Sequence, residues 1–377
     1  MKIRQLFYSI DQGWSESGDL LDNPQLVLVF GAVPLLRDFR NMQYLMHKFP
    51  SSQIVHASTS GEIWQSRVMS NTIVVSAIEF EKTSIVVKQI NIHEVFSAFD
   101  LGKSLYNELL ADDLVHILVI SDGNLLNGSE LVGGLNSKNS KLIPITGGLA
   151  GDDAKFEQSW VGLNNQFLTG NVIGIGFYGK HLRVGHGSCG GWDPFGPERI
   201  VTKSNRNVLY DLDYQSALSL YKKYLGPLSD QLPGSALHIP LSLKIPDTKE
   251  VLVRTVLSIN EKEQSMTFAG NLPQGSKVQL MKASFDKLID GAAIAAANSL
   301  KLLDQRIPQF TLIISCVGRK IVLNQRIEDE VDEAVHVLGS TGKVTGFYSN
   351  GEISPLLFNS KCELHNQTIT VTTYCEV

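Results

Sequence analysis

The sequence predicts a mixed α/β protein in which strand–helix–strand units repeat with pseudo-symmetry, joined by antiparallel hairpins and arranged in two lobes. Two copies of the unit end in the same kind of turn, at residues 59–63 and 349–353, where a hydroxyl residue and one variable residue precede Gly-Glu-Ile. A third, looser copy lies between them and ends in a glycine-rich turn at residues 147–152. Because the surrounding apolar pattern repeats along with the turn, we interpret the copies as one structural unit.

The first copy opens with an apolar strand at residues 25–30. Apolar residues then recur at helical spacing over residues 39–49, and Pro50 ends the predicted helix. A second strand follows at residues 54–57. The turn after this strand contains Ser60, Gly61 and Glu62.

The C-terminal copy has strands at residues 310–316 and 344–348, with an amphipathic helix at residues 327–338 between them. Acidic residues fill the first turns of this helix, where the helix dipole favours them. The turn after the second strand contains Ser349, Gly351 and Glu352. The looser middle copy has strands at residues 116–120 and 142–146, and a short helix that Ser129 can cap.

The connecting segments alternate between apolar and polar residues, which is typical of antiparallel strands. We expect hairpins that join residues 72–80 to 83–91, residues 171–178 to 181–187, and residues 250–260 to 265–269. A long helix with an alanine-rich face should run from the capping residue Ser284 to Leu303. The predicted domain division gives an N-terminal domain of residues 1–213 and a C-terminal domain of residues 214–377.

Composition narrows the class of protein. Of the 377 residues, 43% are hydrophobic and 19% are charged, which suits a globular protein with sizeable cores. The net charge is -5 and basic residues do not cluster, so neither nucleic acid nor an anionic membrane is an expected partner. No apolar run approaches the roughly 18 residues that span a bilayer, and the N-terminus lacks the apolar region of a signal peptide. We therefore expect a cytoplasmic protein without membrane insertion.

Glycine-rich turns after predicted strands are the candidate binding elements, because glycine lets the backbone approach a ligand and present its N–H groups. Each turn alone has an ordinary structural explanation, but several of them, two with an acidic residue, favour one composite pocket. We expect the turns near residues 148–152, 188–191 and 349–352 to converge on one cavity. Besides the residues named above, the ligand-binding candidates in these turns are Gly147, Gly148, Gly151, Asp152, Ser188, Cys189 and Gly190.

No catalytic residue is predicted. The GxGxxG match at residues 174–179 lies in a strand and is not followed by a helix, so it is not a dinucleotide fingerprint. His186 stands where a GxSxG turn needs glycine, so that nucleophile motif fails. Cys316 and Arg319 are further ligand-binding candidates, since a nearby cation can lower the pKa of a thiol. The alternative for this pair is a buried cysteine beside a structural arginine.

These segments also carry a family resemblance. Residues 147–152, the stretch 170–197 and the pair at 201–202 resemble the second half of the FIST N-terminal domain, and the turn at 60–63 resembles its earlier Gly-Glu turn. Residues 315–319, 346–353 and 364–368 resemble the FIST C-terminal domain, which adds His365 and Asn366 to the ligand-binding candidates. The resemblance covers nearly the whole chain in the correct order.

The resemblance implies a sensory module that binds a small molecule such as an amino acid and acts on a separate signalling protein such as a histidine kinase. Some stand-alone members are haem proteins that sense nitric oxide, so haem is the one cofactor that the resemblance suggests. The candidate haem ligands are His186, His365 and His238, the last of which departs from the family pattern. A different class, a hydrolase or lyase on the same scaffold, would use Glu62, Asp152 and Glu352 as buried acids.

Overall fold

A computed structural model describes residues 1–246, 251–303, 306–339 and 342–377. The chain forms three units of similar topology, and a smaller domain is inserted into the third. Within these ranges, none of the helices combines the length and the apolar composition that crossing a membrane requires.

The first unit contains seven strands and two helices. Its strands are β1 (Lys2–Ser9), β2 (Gly13–Gly18), β3 (Leu26–Gly31), β4 (Gln53–Ser58), β5 (Glu62–Trp64), β6 (Arg67–Met69) and β7 (Ile73–Glu79). Its helices are α1 (Val33–Leu36) and α2 (Phe39–Lys48). The side chain of Asp38 caps α2, and the apolar face of this helix buries Met42 and Leu45 against the sheet.

The second unit follows directly. Its strands are β8 (Ser84–Asn91), β9 (Leu114–Ser121), β10 (Ile145–Leu149), β11 (Val161–Leu163), β12 (Gln166–Leu168) and β13 (Asn171–Tyr178). Its helices are α3 (Ala98–Leu109) and α4 (Gly128–Asn136), and a single 3₁₀ turn (Ile92–Glu94) precedes α3. The cap of α4 is Asn127, whose side chain accepts two backbone N–H groups, so the predicted cap Ser129 is wrong by two positions.

The third unit begins with β14 (Leu182–Cys189) and resumes after the insertion with α6 (Phe285–Lys301). Its other elements are β23 (Phe310–Cys316), α7 (Val317–Leu323), α8 (Ile327–Leu338), β24 (Lys343–Ser349), β25 (Gly351–Pro355), β26 (Cys362–His365) and β27 (Ile369–Glu376), with a 3₁₀ turn (Asn324–Arg326) before α8. The predicted strand at 310–316 and helix at 327–338 coincide with β23 and α8.

Among its described residues, the inserted domain has eight strands and one helix. They are β15 (Trp192–Asn205), β16 (Val208–Leu212), β17 (Gln215–Ser216), α5 (Ala217–Leu225), β18 (Leu241–Lys244), β19 (Val251–Arg254), β20 (Val256–Asn260), β21 (Ser265–Phe268) and β22 (Lys277–Ala283), with 3₁₀ turns at Gly226–Gln231 and Gly234–His238. Because β19 and β20 are consecutive yet lie at opposite ends of the strand order, the sheet curls and its two edges meet near Thr255. Residues 213 and 214 form the turn between β16 and β17, and the predicted division there stays a prediction.

The three sheets outside the inserted domain share one plan. Each centres on a parallel pair, β3 with β4, β9 with β10 and β23 with β24, and an antiparallel strand of the same unit lies beside the first strand of the pair. A hairpin from another unit extends the second strand: β11–β12 beside β4, β25–β26 beside β10, and β5–β6 beside β24. After each parallel pair, the chain therefore crosses to a neighbouring sheet, and the three crossings close a ring. The predicted pseudo-symmetric repeat is confirmed.

The ring explains where the core lies. The inner faces of the three sheets bury one shared cluster that includes Leu28, Ile120, Ile314 and Phe347. Each outer face is covered by helices of its own unit, namely α2, α3 with α4, and α6 with α8. Strands buried on both faces read as continuous apolar runs, as the parallel pairs do in the sequence.

Two predicted hairpins are wrong. β7 pairs with β1 and β3 in the first sheet, whereas β8 pairs with β13 in the second. β13 and β14 likewise belong to different sheets. The alternating pattern identified each strand, but these two turns connect one unit to the next and cross between sheets. The third hairpin is confirmed for β20 and β21, while Glu250 at its predicted start lies outside the described residues.

Candidate functional site

The crossings between sheets differ in length, and the longest one builds a cleft. Residues 59–61 join β4 to β5 and residue 350 joins β24 to β25, whereas residues 150–160 join β10 to β11. This long segment forms a wall beside the carboxyl ends of β3 and β4, a position where open sheets commonly bind ligands. The cleft has a volume of about 220 Å³. It is lined by Ala32, Val33, Pro34, Arg37, Thr59, Gly61, Glu62, Ser70, Asn71, Asp152, Asp153, Lys155, Glu157, Gln158 and Trp160.

Asp152 shapes the wall of the cleft. Its carboxylate is buried and accepts the backbone N–H groups of Phe156, Glu157 and Gln158 at 2.6–2.9 Å. Ser60 supports the same segment, because its Oγ accepts the N–H of Ala154 at 3.3 Å. The predicted candidates Ser60, Gly61, Glu62, Gly151 and Asp152 thus lie together at this cleft, and Asp152 holds the loop in place.

Glu62 lies at the floor of the cleft and is 1% exposed. Its carboxyl oxygens accept hydrogen bonds from the hydroxyls of Thr59 at 2.5 Å and Thr72 at 2.7 Å. Burial raises the pKa of Glu62 to about 7, because a charged carboxylate loses its hydration there. Beside it, the Lys320 ammonium donates to the carbonyl oxygen of Ser60 at 2.6 Å and to the Ser70 hydroxyl at 3.0 Å.

The rim of the cleft carries exposed charges of both signs. The Arg37 guanidinium lies 4.9 Å from the ring centroid of Trp160, a cation–π arrangement that keeps the cation over the opening. Asp153, Lys155 and Glu157 are exposed on the segment of residues 150–160 that ends at Trp160. A cleft with a flat aromatic ring, cations and carboxylates can bind a small polar molecule that carries both charges.

Ser70 and Lys320 form a nucleophile–base geometry that the sequence analysis missed. Their side chains lie 3.0 Å apart, yet they belong to different units, and no sequence motif joins them. Burial lowers the pKa of Lys320, which is the direction a general base needs, although Asp153 and Glu62 oppose that shift. Chemical turnover in the cleft is therefore an outcome that a binding experiment must test.

Glu352 is the counterpart of Glu62 at another crossing. It is fully buried, and it accepts hydrogen bonds from the hydroxyls of Ser349 at 2.7 Å and Thr368 at 2.6 Å. It does not line the cleft, and neither do Ser349 and Gly351. Burial raises the pKa of Glu352 to about 8.

We expect the substitution Glu352→Gln to change how stability depends on pH. Between about pH 4.5 and 8, the folded protein keeps the Glu352 proton that the unfolded chain has released. The contribution of the Glu352 carboxyl to the free energy of unfolding is therefore fully present at low pH. It is lost as pH rises through about 8, by up to roughly 1.4 kcal/mol per pH unit. Urea unfolding at pH 5 and pH 7.5 should show a smaller fall in the Gln variant than in wild type. Parallel falls would show that the carboxyl is already ionised at pH 5.

The candidates Ser188, Cys189, Gly190, Cys316 and Arg319 form a separate group near α7. The Arg319 side chain is fully buried and pairs with Glu330 at 2.5 Å. It also donates to the backbone oxygen of Gly190. Burial raises the pKa of the Cys316 and Cys189 thiols despite the nearby cation. The predicted activation of Cys316 by Arg319 is therefore wrong, and its alternative, a buried cysteine beside a structural arginine, fits.

The structure does not bring the predicted turns into one cavity. The crossings end on three different sheets of the ring, and only the group around Ser60 and Asp152 reaches the cleft. Gly147 and Gly148 lie within β10, where their missing side chains make room for Val119 and Ile314.

The three candidate haem ligands lie apart from the cleft and from each other. His365 is buried in β26 with Nε2 2.8 Å from the carbonyl oxygen of Ser354, and His186 is buried in β14. His238 is exposed at the end of a 3₁₀ turn in the inserted domain. Asn366 is buried next to His365. None of them lines the cleft, so the residues at this site do not fit a porphyrin with an axial histidine.

Several groups that line or reach the cleft stand in no recognisable sequence pattern and were not predicted. The missed residues are Arg37, Ser70, Asp153, Lys155, Trp160 and Lys320. They come from segments far apart in the chain, and none stands in a motif. The one available signal was the length of the segment after the middle Gly-Gly turn, which exceeds that of the other two crossings.

Comparisons with known proteins match two family models. The model described as FIST N domain matches residues 25–215, and the model described as FIST C domain matches residues 217–355. Curated proteins give no match. Among solved structures, the chain is similar to the crystal structure of cyanuric acid hydrolase from A. caulinodans, with 11% identity, 78% of this chain and 99% of that chain covered, and a TM-score of 0.18. A TM-score this low carries no argument about fold or function.

Proposed function

This chain belongs to the FIST family, whose domains are signal-transduction sensors of small ligands, and on that premise we propose that its cleft binds an amino acid or similar zwitterion. The observation that carries the proposal is that charges of both signs and one aromatic ring line the same cleft. Arg37 over Trp160 suits a ligand carboxylate, and Asp153, which also lines the cleft, suits an ammonium group.

The ring of sheets supports a pocket that keeps its shape without ligand. The floor strands β3 and β4 are fully buried at their ends, and the wall is fixed by the three N–H groups bound to Asp152. A largely preformed site loses little conformational entropy on binding, which favours affinity for a small ligand. The bound state is then passed to a separate signalling protein, such as a histidine kinase, through a surface that differs between two states.

A thermal-shift screen of the standard amino acids tests this function. A ligand that binds only the folded protein adds RT ln(1 + [L]/Kd), about 2.7 kcal/mol at a hundredfold excess over Kd. We expect at least one amino acid to stabilise the protein and to be recovered unchanged by mass spectrometry. Arg37→Met should abolish the stabilisation, because it removes the rim cation that faces the ligand carboxylate.

Arg40→Met is the matched control, because Arg40 is exposed nearby, pairs with Asp38 and does not line the cleft. It should leave the ligand-induced shift intact. Consumption of the stabilising ligand would instead support the hydrolase or lyase, with Ser70 and Lys320 as the reacting pair. A Soret band in protein from haem-supplemented cells, shifting with nitric oxide, would support the haem sensor that the family resemblance suggests.

A further inference from the structure

The short helix α7 lies between the cleft and the inserted domain and contacts residues of both. Lys320 extends from it towards the cleft, and its ammonium bonds the Ser60 carbonyl and the hydroxyl of Ser70, which lines the cleft. Asp153 and Glu62 act on this ammonium electrostatically, but neither is hydrogen-bonded or ion-paired to it in the part of the chain that the structure describes. A half-buried cation whose two hydrogen-bond acceptors are neutral attracts an anion, since burial weakens its hydration.

Arg319, the residue before Lys320 on α7, bonds both segments that connect the third unit to the inserted domain. One guanidinium nitrogen donates to the backbone oxygen of Gly190, just before β15. Another donates to the backbone oxygen of Leu288 at 2.7 Å, near the start of α6 and just after β22. The third bonds Glu330 at 2.5 Å. The segments that enter and leave the inserted domain are therefore tied to one side chain.

The remaining face of α7 packs on the inserted domain. Val322 and Leu323 share a buried cluster with Trp192, Val253 and Met281. These three residues belong to β15, β19 and β22, so the contact reaches into the inserted sheet.

A second bridge passes through the Gln367 side chain, which lies against Gly318 of α7. Gln367 donates through Nε2 to the carbonyl oxygen of Leu237 at 3.1 Å. The carbonyl oxygen of Gln367 accepts the indole N–H of Trp192 at 2.8 Å. Both partners belong to the inserted domain, so Gln367 links Gly318 of α7 to it at a second place.

We propose that α7 couples the cleft to the inserted domain: an anionic group of the ligand binds the Lys320 ammonium, and the helix passes the change to the contacts at Arg319, Leu323 and Gln367. This inference rests on the proposed function for its ligand, and it makes the inserted domain the part whose packing reports occupancy. A stronger contact at Lys320 draws α7 towards the cleft. The residues of the inserted domain that pack tightly on α7 must then change their positions.

Hydrogen–deuterium exchange of the free protein tests the coupling without a ligand. Lys320→Met removes the two bonds at the cleft end of α7, and we expect about tenfold faster exchange in peptides that cover Trp192, Leu237 and Leu288. Lys155→Met is the matched control: it removes a cation from the same cleft but not from α7, so those peptides should exchange as in wild type. If Lys320→Met fails to fold, Lys320→Gln gives the same comparison.

Unchanged exchange of the inserted domain in the Lys320 variant, or an equal change in the Lys155 variant, would overturn the coupling. The amino-acid screen of the wild-type protein decides the proposed function separately. If no amino acid stabilises the protein, the ligand assignment fails while the exchange comparison still decides whether α7 links the two regions. If an amino acid binds, protection of the Trp192 and Leu237 peptides should rise as the cleft is saturated.

Discussion

Replacing Arg319 by Met is expected to lower the free energy of unfolding by about 3–5 kcal/mol. The Arg319–Glu330 pair is fully buried on both sides, so Met would leave the Glu330 carboxylate without its cation. The hydroxyls of Ser315 and Tyr348 would still bond this carboxylate, but neither neutralises its charge. Loss of the donor would also leave the Leu288 carbonyl oxygen without its side-chain partner. Urea denaturation monitored by circular dichroism measures the effect.

Arg326→Met is the control for Arg319→Met. Arg326 pairs with Asp329 at 2.9 Å, but these side chains are 43% and 50% exposed, so the expected loss is at most about 1 kcal/mol. The double change Arg319→Met with Glu330→Leu should recover part of the loss, because no buried charge is left unpaired. Equal losses for the buried and the exposed pair would contradict the structural role of Arg319.

Replacing Gly147 by Ala is expected to cost about 3 kcal/mol or more, or to prevent folding. Gly147 lies in β10 with φ +151°, and a Cβ there would lie 1.8 Å from the carbonyl oxygen of Val119. The obstacle is backbone of the neighbouring parallel strand, which cannot rotate away as a side chain can. Expression level and the urea midpoint of the variant measure the effect.

Gly234→Ala is the control for Gly147→Ala. A Cβ at Gly234 would meet nothing within 4 Å, and its φ is not in the left-handed region, so stability should change by less than about 0.5 kcal/mol. A comparably small effect at Gly147 would mean that β9 and β10 can move apart enough to accommodate the added Cβ.

Local patterns predicted the strands and helices well, because the strands of the parallel pairs are mostly apolar and the helices have one apolar face. The run at residues 310–316 became β23, and the period of four after Ile327 became α8. Pairing was predicted less well. The turn at Glu81 and Lys82 looks like that of a hairpin, yet both N–H groups bind the Glu376 carboxylate, which closes the junction between two sheets. An alternating pattern identifies a strand but not the sheet that it joins.

The candidate site was predicted only in part, because sequence patterns identify local turns but not the distant segments that the fold brings to them. Ser60, Glu62 and Asp152 follow strand ends and were found from their glycine-rich turns. Glu352 stands in a similar turn, but its crossing is one residue long and Glu352 does not line the cleft. Arg37 and Lys320 come from other segments, and only the ring of sheets brings them to the same place. Sequence patterns therefore located the floor of the cleft but not its cations.

Trp160 provides the most direct test that a ligand binds in this cleft. Its ring lines the opening under Arg37, so an amino acid that stabilises the protein should change the tryptophan fluorescence saturably, with the same Kd as the thermal shift. In Trp160→Phe the part of that fluorescence change that comes from Trp160 should be lost, while the ligand still stabilises the protein; the remainder is the change expected at Trp192. Ligand binding in this cleft predicts both results. A stabilising ligand that changes the fluorescence of wild type and Trp160→Phe equally would contradict it, because the ligand would then bind elsewhere.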